Sequence, residues 1–242
     1  MAGLAGLTAF AWLGLWLRGD GMEMGALAPR LLPWRLADLG AAAVMWATMM
    51  VAMMLPSAAP VLLLFSGAQR KRKGQAAKEA ARLTALFAFG YLVVWFGWSL
   101  LAAALQWALQ GLLLLSPHLA ATSLLLSAAF LLLAGLYQFT PLKAACLVQC
   151  QSPLGFLLAR WREGRWGALG MGLHHGAYCV GCCWALMGLL FVGGVMNLLW
   201  VAALAGFILL EKAVARGPWL SRATGLVLIG WGLYVLQSGL AS

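Results

Sequence analysis

Apolar residues run through the chain in long blocks, and polar residues gather in the gaps between them. Seven blocks reach or approach the roughly 20 residues that carry a helix across a bilayer. They lie at about 3–17, 40–65, 83–109, 119–139, 167–192, 195–210 and 223–240. Pro56 and Pro60 are expected to bend the second, and Gly193-Gly194 turns the chain almost at once from the fifth into the sixth. The predicted class is therefore all-α, a polytopic transmembrane bundle of about seven spans forming one integral membrane domain over 1–242. The first block lacks a basic leading segment and a small-residue cleavage site, so it reads as a retained helix rather than a signal peptide. No internal repeat is visible, which leaves an inverted-repeat transporter unsupported.

Composition agrees. Of 242 residues, 64% are hydrophobic and 9% charged, against about 45–50% and about 25% in soluble chains. A water-soluble enzyme, a disordered tail and a disulfide-rich secreted scaffold are excluded. The net charge of +10 would suggest nucleic acid in a soluble chain; here it reports orientation, and no nucleic-acid partner is expected. Arg70, Lys71, Arg72, Lys73, Lys78 and Arg82 lie between the second and third spans. Lys143, Arg160, Arg162 and Arg165 lie between the fourth and fifth, and Lys212, Arg216 and Arg222 between the sixth and seventh. Only Arg18, Arg30 and Arg35 fall on the other side. Basic residues favour the cytoplasmic side, which puts the N-terminus in the cytoplasm and the C-terminus outside. The basic run at 70–73 is then a topology anchor.

The candidate chemistry is sulfur-rich. Five cysteines fall in two groups, and none lies in an expected outer loop, so reduced thiols are predicted. Thr140-Pro141 and Ser152-Pro153 both start helices. The segment between them is a short helix at the cytoplasmic interface, with Cys146 and Cys150 on one face. That pair fits either a clamp for a soft ion or two small buried side chains. The second group is His174-His175-Gly176-Ala177-Tyr178-Cys179-Val180-Gly181-Cys182-Cys183. At 100° per residue, His175, Cys179 and Cys182 share an arc of about 60°, with Cys183 just off it and His174 pointing elsewhere. Imidazole and thiolate together suit copper, zinc or iron. A histidine inside a span is costly unless it is used. The plainer reading is a helix contact made by small residues, since Gly176, Gly181 and Gly188 permit close packing.

The second span carries Met45, Met49 and Met53 at a spacing of four, with Met50 and Met54 beside them. Methionine is adaptable filler, yet thioethers also select Cu(I). Pro56 has no amide hydrogen, so it frees the carbonyl of Ala52 for another partner. If the second and fifth spans are antiparallel neighbours, equal depths pair Met45 with Cys182, Met49 with Cys179 and Met53 with His175. Among the remaining polar groups, Asn197 opens the sixth span and Glu211-Lys212 closes it, where the two can pair locally. Gln138 precedes the Thr140-Pro141 cap, Met22-Glu23-Met24 reads as an outer loop, and His118 as an interfacial residue.

Four blocks carry a resemblance. They are Met45-Trp46-Ala47-Thr48-Met49-Met50-Val51-Ala52-Met53-Met54-Leu55-Pro56-Ser57; Gly135-Leu136-Tyr137-Gln138 with Thr140-Pro141-Leu142-Lys143 and Cys146/Cys150; His175-Gly176 with Tyr178-Cys179 and Gly181-Cys182-Cys183-Trp184; and Gly194-Val195-Met196-Asn197-Leu198 with Glu211-Lys212. Over about residues 40–215 the chain resembles a bacterial family described as predicted metal-binding integral membrane proteins, with a domain of unknown function. The resemblance implies metal binding without naming an activity. The leading expectation is a bacterial inner-membrane protein that binds or handles a soft metal, Cu(I) first and zinc or iron after it. Its ligands would be His175, Cys179 and Cys182, then Cys183, Met45, Met49 and Met53, with Cys146 and Cys150 as a cytoplasmic docking or transfer pair. A metallochaperone or metalloenzyme partner follows from that role, and catalysis does not. No nucleotide-binding motif is present to drive a pump. The alternatives are a membrane oxidoreductase passing electrons between thiols and quinone, and a structural or assembly subunit of a membrane complex.

Overall fold

The computed structural model describes residues 5–16, 37–71, 77–116, 119–214 and 219–240 in full, and the backbone of a few helical residues flanking them. Met22-Glu23-Met24, His118, Arg30, Arg35, Arg72, Lys73 and Arg216 lie outside the described residues, as does the side chain of Arg18. The described chain is helical: α1 (Ala2–Gly21), α2 (Leu36–Lys71), α3 (Ala77–Gly111), α4 (Leu124–Tyr137), α5 (Pro141–Gln151), α6 (Pro153–Arg160), α7 (Gly164–Gly188), α8 (Leu190–Gly193), α9 (Leu198–Ala213) and α10 (Trp219–Ala241). A single isolated bridge, Leu115 to Ala121, is the sole strand-like pairing among the described residues.

Four helical stretches are long and apolar enough to cross a membrane: Ala37–Lys71, Ala77–Gly111, Gly164–Gly193 and Trp219–Leu240. They become five if α4 and α5, bent by 68° at their junction, count as one broken span. Of the other expected spans, α1 has 20 residues, of which Ala5–Trp16 is a fully described apolar stretch. α9 has 16 residues, about 24 Å at 1.5 Å per residue against a hydrocarbon core of about 30 Å.

α3 packs along both α2 and α7, α5 lies on α7, and α10 pairs with α4. Missing side chains set the closest approaches. A Cβ on Gly172 would overlap the Phe87 carbonyl, and one on Gly90 would sit 2.5 Å from the Leu169 carbonyl oxygen. The backbones of α3 and α7 therefore touch, as small residues allow between apolar helices. Between α7 and α9, Gly194 takes a positive φ of 92°, and the Trp200 indole donates to the Leu189 carbonyl across the turn (2.8 Å). The inside is aromatic and sulfurous. Trp46, Tyr91, Trp95, Phe65, Phe87, Phe156, Phe191 and Met49, Met50, Met53 and Met54 are all fully buried. The outside is apolar too, with Phe10, Phe89, Leu101, Leu125, Val227 and Leu240 among many exposed large side chains.

Pro56 stays within α2. The Ala52 carbonyl that it frees accepts a hydrogen bond from the Trp12 indole of α1 at 3.1 Å. The missing backbone bond is thus made good by a neighbouring helix.

Candidate metal centre

The two cysteine groups come together. α5 starts where Thr140 and Pro141 dictate: the Thr140 hydroxyl accepts from the Lys143 amide, with Pro at the first helical position. Its buried residues are Lys143, Cys146, Leu147 and Cys150, a stripe at the i, i+3, i+4, i+7 spacing of one helix face. That face lies on α7. Gly181 has no side chain, and a Cβ there would be 2.6 Å from the Cys146 sulfur. One turn on, Cys150 Sγ stands 3.9 Å from Cys182 Sγ. Cys146 and Cys150 thus lie beside the second cysteine group rather than apart from it. Both are buried against the second cysteine group, because the bend after α4 folds α5 back onto α7 where Gly181 leaves room.

All five thiols are free. A separation of 3.9 Å is nearly twice a disulfide length of about 2.05 Å. A metal–thiolate bond is about 2.3 Å, so two sulfurs sharing one ion stand roughly 3.7–4.6 Å apart. The Cys150–Cys182 pair falls in that range. Among the described residues no three His, Cys, Asp or Glu side chains are grouped as a ready chelate. What the geometry offers is a thiol pair with further sulfur close by.

Cys179 sits one turn below Cys182 and meets groups from α9 and α3, which in turn reach α2. Lys212 of α9 donates to Cys179 Sγ at 3.0 Å. Tyr91 of α3 contacts the same sulfur at 3.1 Å and donates to the Met54 carbonyl of α2 at 2.9 Å. Lys212 also reaches Ser57 Oγ at 3.1 Å and Met54 Sδ at 3.9 Å. Cys182 and Cys183 both turn their thiols onto the Cys179 carbonyl, at 3.1 and 2.9 Å. Tyr137 of α4 donates to the Gly181 carbonyl, tying the broken α4–α5 element to the same turn of α7.

Glu211 and Lys212 do not pair with each other. Neighbouring residues on a helix point about 100° apart, and here each takes its own partner. Glu211 accepts from Lys143 Nζ at 2.8 Å and from Ser221 Oγ at 2.7 Å, while Lys212 faces sulfur. Two of the basic residues counted as loop charges, Lys143 and Lys212, are therefore buried. The count of loop basic residues falls to eleven against three, still strongly one-sided.

The methionine stripe is buried along α2, but its register differs from the equal-depth pairing. Trp46 packs on Phe191 with ring centroids 5.3 Å apart, and Met54, not Met49, shares the Lys212 ammonium with Cys179. The offset is five residues, rather more than one turn. α2 runs from Leu36 to Lys71, beyond the apolar block 40–65, so the edge of that block does not mark depth along the helix. Met45, Met49 and Met53 are buried along the same helix.

His175 is buried in an aromatic box, its ring 5.0, 5.8 and 6.2 Å from those of Phe156, Tyr91 and Phe87. Its Nδ1 has no hydrogen-bond partner among the described residues. His174 is exposed and contacts the Gly170 carbonyl. Sequence reasoning missed Tyr91, Ser57 and Lys212. The one available signal was Lys212 itself, a charge ending an apolar run beside a residue with which it cannot pair.

Residues 43–235 match a protein family, PpoB2, described as a copper chaperone. No curated protein and no solved structure matches the chain.

Proposed function

The chain belongs to the copper chaperone family PpoB2, and from that premise we propose that it is an integral membrane protein that holds Cu(I) in a buried sulfur site and hands it to a metalloenzyme. Soft thiolates and thioethers select Cu(I). The observation that carries this reading is the approach of Cys150 to Cys182, 3.9 Å apart on different helices and both buried. In this reading these two thiols bind the cargo ion. Cys179 and Met54 stand beside them around Lys212, and Met45, Met49 and Met53 form the approach along α2. Cys146 and Cys183 fill in behind, and His175 reorients from its aromatic box as a further ligand.

The surrounding bilayer is the second part of the proposal. The exposed apolar side chains and four apolar helices of spanning length support a multi-pass protein of the bacterial inner membrane. Seven crossings with the N-terminus in the cytoplasm follow if α1 crosses, α9 crosses in a locally thinned bilayer and α4–α5 crosses as a broken span. The one-sided basic residues support that orientation.

Copper content of detergent-purified, reduced protein tests the site. Wild type is expected to retain about one equivalent of Cu(I), and Cys150→Ser/Cys182→Ser to lose it while still purifying as a folded monodisperse species. Wild type that stays metal-free and takes up no Cu(I) would overturn the reading.

A further inference from the structure

Resting on that reading, we infer that Lys212 is a specificity-determining residue: its buried ammonium, seated on the sulfur cluster, biases the site toward monovalent soft ions and against divalent ones. The position of the ammonium carries the argument. Lys212 Nζ contacts Cys179 Sγ at 3.0 Å, Ser57 Oγ at 3.1 Å and Met54 Sδ at 3.9 Å, and the residue is 7% exposed. Among the described residues no carboxylate is bonded to it. The carboxylate nearest in sequence, Glu211, is turned away into its pair with Lys143 and its bond from Ser221. The positive charge is thus answered by sulfur and oxygen dipoles and by whatever negative charge the thiols carry.

A metal ion entering the Cys150–Cys182–Cys179 region meets that fixed charge at short range in a poorly screened interior. Coulomb repulsion scales with the charge of the ion. Zn(II) is opposed twice as strongly as Cu(I), whichever of the three thiols bind. Softness favours Cu(I), but thiolate also accepts Zn(II), so the ligand set does not by itself exclude the divalent ion. Anionic sulfurs attract a divalent ion more strongly by charge, and a resident cation reduces that advantage. Lys212 holds this place because α9 ends against α2 and α7 at the level where Tyr91 bridges Met54 and Cys179.

Competitive titration of the metal-free, reduced, detergent-purified protein with Cu(I) and with Zn(II) reads out the ratio of the two affinities. Taking a ratio cancels any general loosening of the site. Lys212→Met is expected to shift it toward Zn(II) by about tenfold or more. Lys212→Arg, which keeps the charge, is expected to stay within about threefold of wild type. Lys212→Gln retains a donor for Cys179 and Ser57 without the charge, and serves if the methionine variant unfolds. A ratio unchanged in both neutral variants, with Cu(I) still bound by wild type, overturns the inference alone. Lys212→Arg shifting as far as Lys212→Met also overturns it, because charge would not be the determinant. Failure of wild type to bind Cu(I) overturns the function and this inference together.

Discussion

Lys143 of α5 and Glu211 of α9 form an ion pair 2.8 Å long, with 1% and 2% of their side-chain surfaces exposed. Gln151, at the other end of α5, donates to the carbonyls of Glu211 and Val214 at 2.9 and 3.2 Å. α5 is thus pinned to α9 at both ends, and its middle carries Cys146 and Cys150 onto α7. The pair fixes the height at which Cys150 meets Cys182. Its contribution to position exceeds its contribution to stability, since desolvation offsets most of a buried pair's attraction.

Removing one partner leaves the other charge buried and unpaired, at a cost of about 3–5 kcal/mol. Lys143→Met is expected to lower the unfolding temperature in detergent sharply and to speed alkylation of Cys150. Lys143→Met/Glu211→Leu is expected to recover most of that stability, since no bare charge remains. Recovery of stability without recovery of slow Cys150 alkylation would identify the pair as the positioning element. A double variant as unstable as the single one would remove that account.

Cys150 and Cys182 also make a chemical prediction. The sulfurs must approach by about 2 Å to reach disulfide length, which side-chain rotation can supply. Treating metal-free protein with diamide, a thiol oxidant, is expected to join these two cysteines before any others, leaving Cys146, Cys179 and Cys183 alkylatable. Peptide mass mapping identifies the pair. Prior loading with Cu(I) is expected to block the reaction. Random pairing among the five cysteines would show that the 3.9 Å approach is not held in solution.

How much of this the sequence disclosed depends on the range of the interaction. Local signals were legible: Thr140-Pro141 started α5 at Pro141, Asn197 caps α9 by accepting from the Trp200 amide, and the shared face of Cys146 and Cys150 followed from helical spacing alone. The helical class followed from block length. What the sequence could not disclose was which faces meet. Nothing local says that the bend after Tyr137 turns α5 back onto α7, or that Gly181 is the notch that admits Cys146. The register of α2 against the thiols of α7 is hidden for the same reason. A helix continues past its apolar block when its ends are polar yet still helical, as at Gln69 to Lys71, so block edges are poor depth markers. Lys212 carries no local sign of its burial, because a buried lysine counts the same as a loop lysine until its neighbours are known.

The contact of α3 with α7 yields a packing prediction. Gly172 lies where a Cβ would overlap the Phe87 carbonyl, a backbone group that cannot rotate away. Gly172→Ala is therefore expected to force the helices apart at a cost of about 1–3 kcal/mol. Tyr91 lies one helical turn from Phe87 on the same helix, so its contacts with Cys179 and the Met54 carbonyl should loosen as well. The expected signature is a lower unfolding temperature together with weaker Cu(I) retention. Gly170→Ala, where a Cβ meets nothing within 4 Å, is the control and should be neutral by both measures.

The Trp12–Ala52 bond gives the last prediction, and it isolates a single backbone group. The Ala52 carbonyl lacks its helical donor because residue 56 is proline, and the Trp12 indole supplies the substitute at 3.1 Å. Trp12→Phe keeps an aromatic ring against α2 but removes the N–H. An unsatisfied buried carbonyl is expected to cost about 1–3 kcal/mol. Pro56→Ala restores an amide hydrogen four residues from Ala52, so the helix can close its own bond. In that background Trp12→Phe should cost much less. The two changes are then coupled, by about 1 kcal/mol or more in a double-mutant cycle on detergent unfolding. Additive effects would mean that Trp12 contributes only its ring, and that the proline's missing bond is left to water or to a looser backbone.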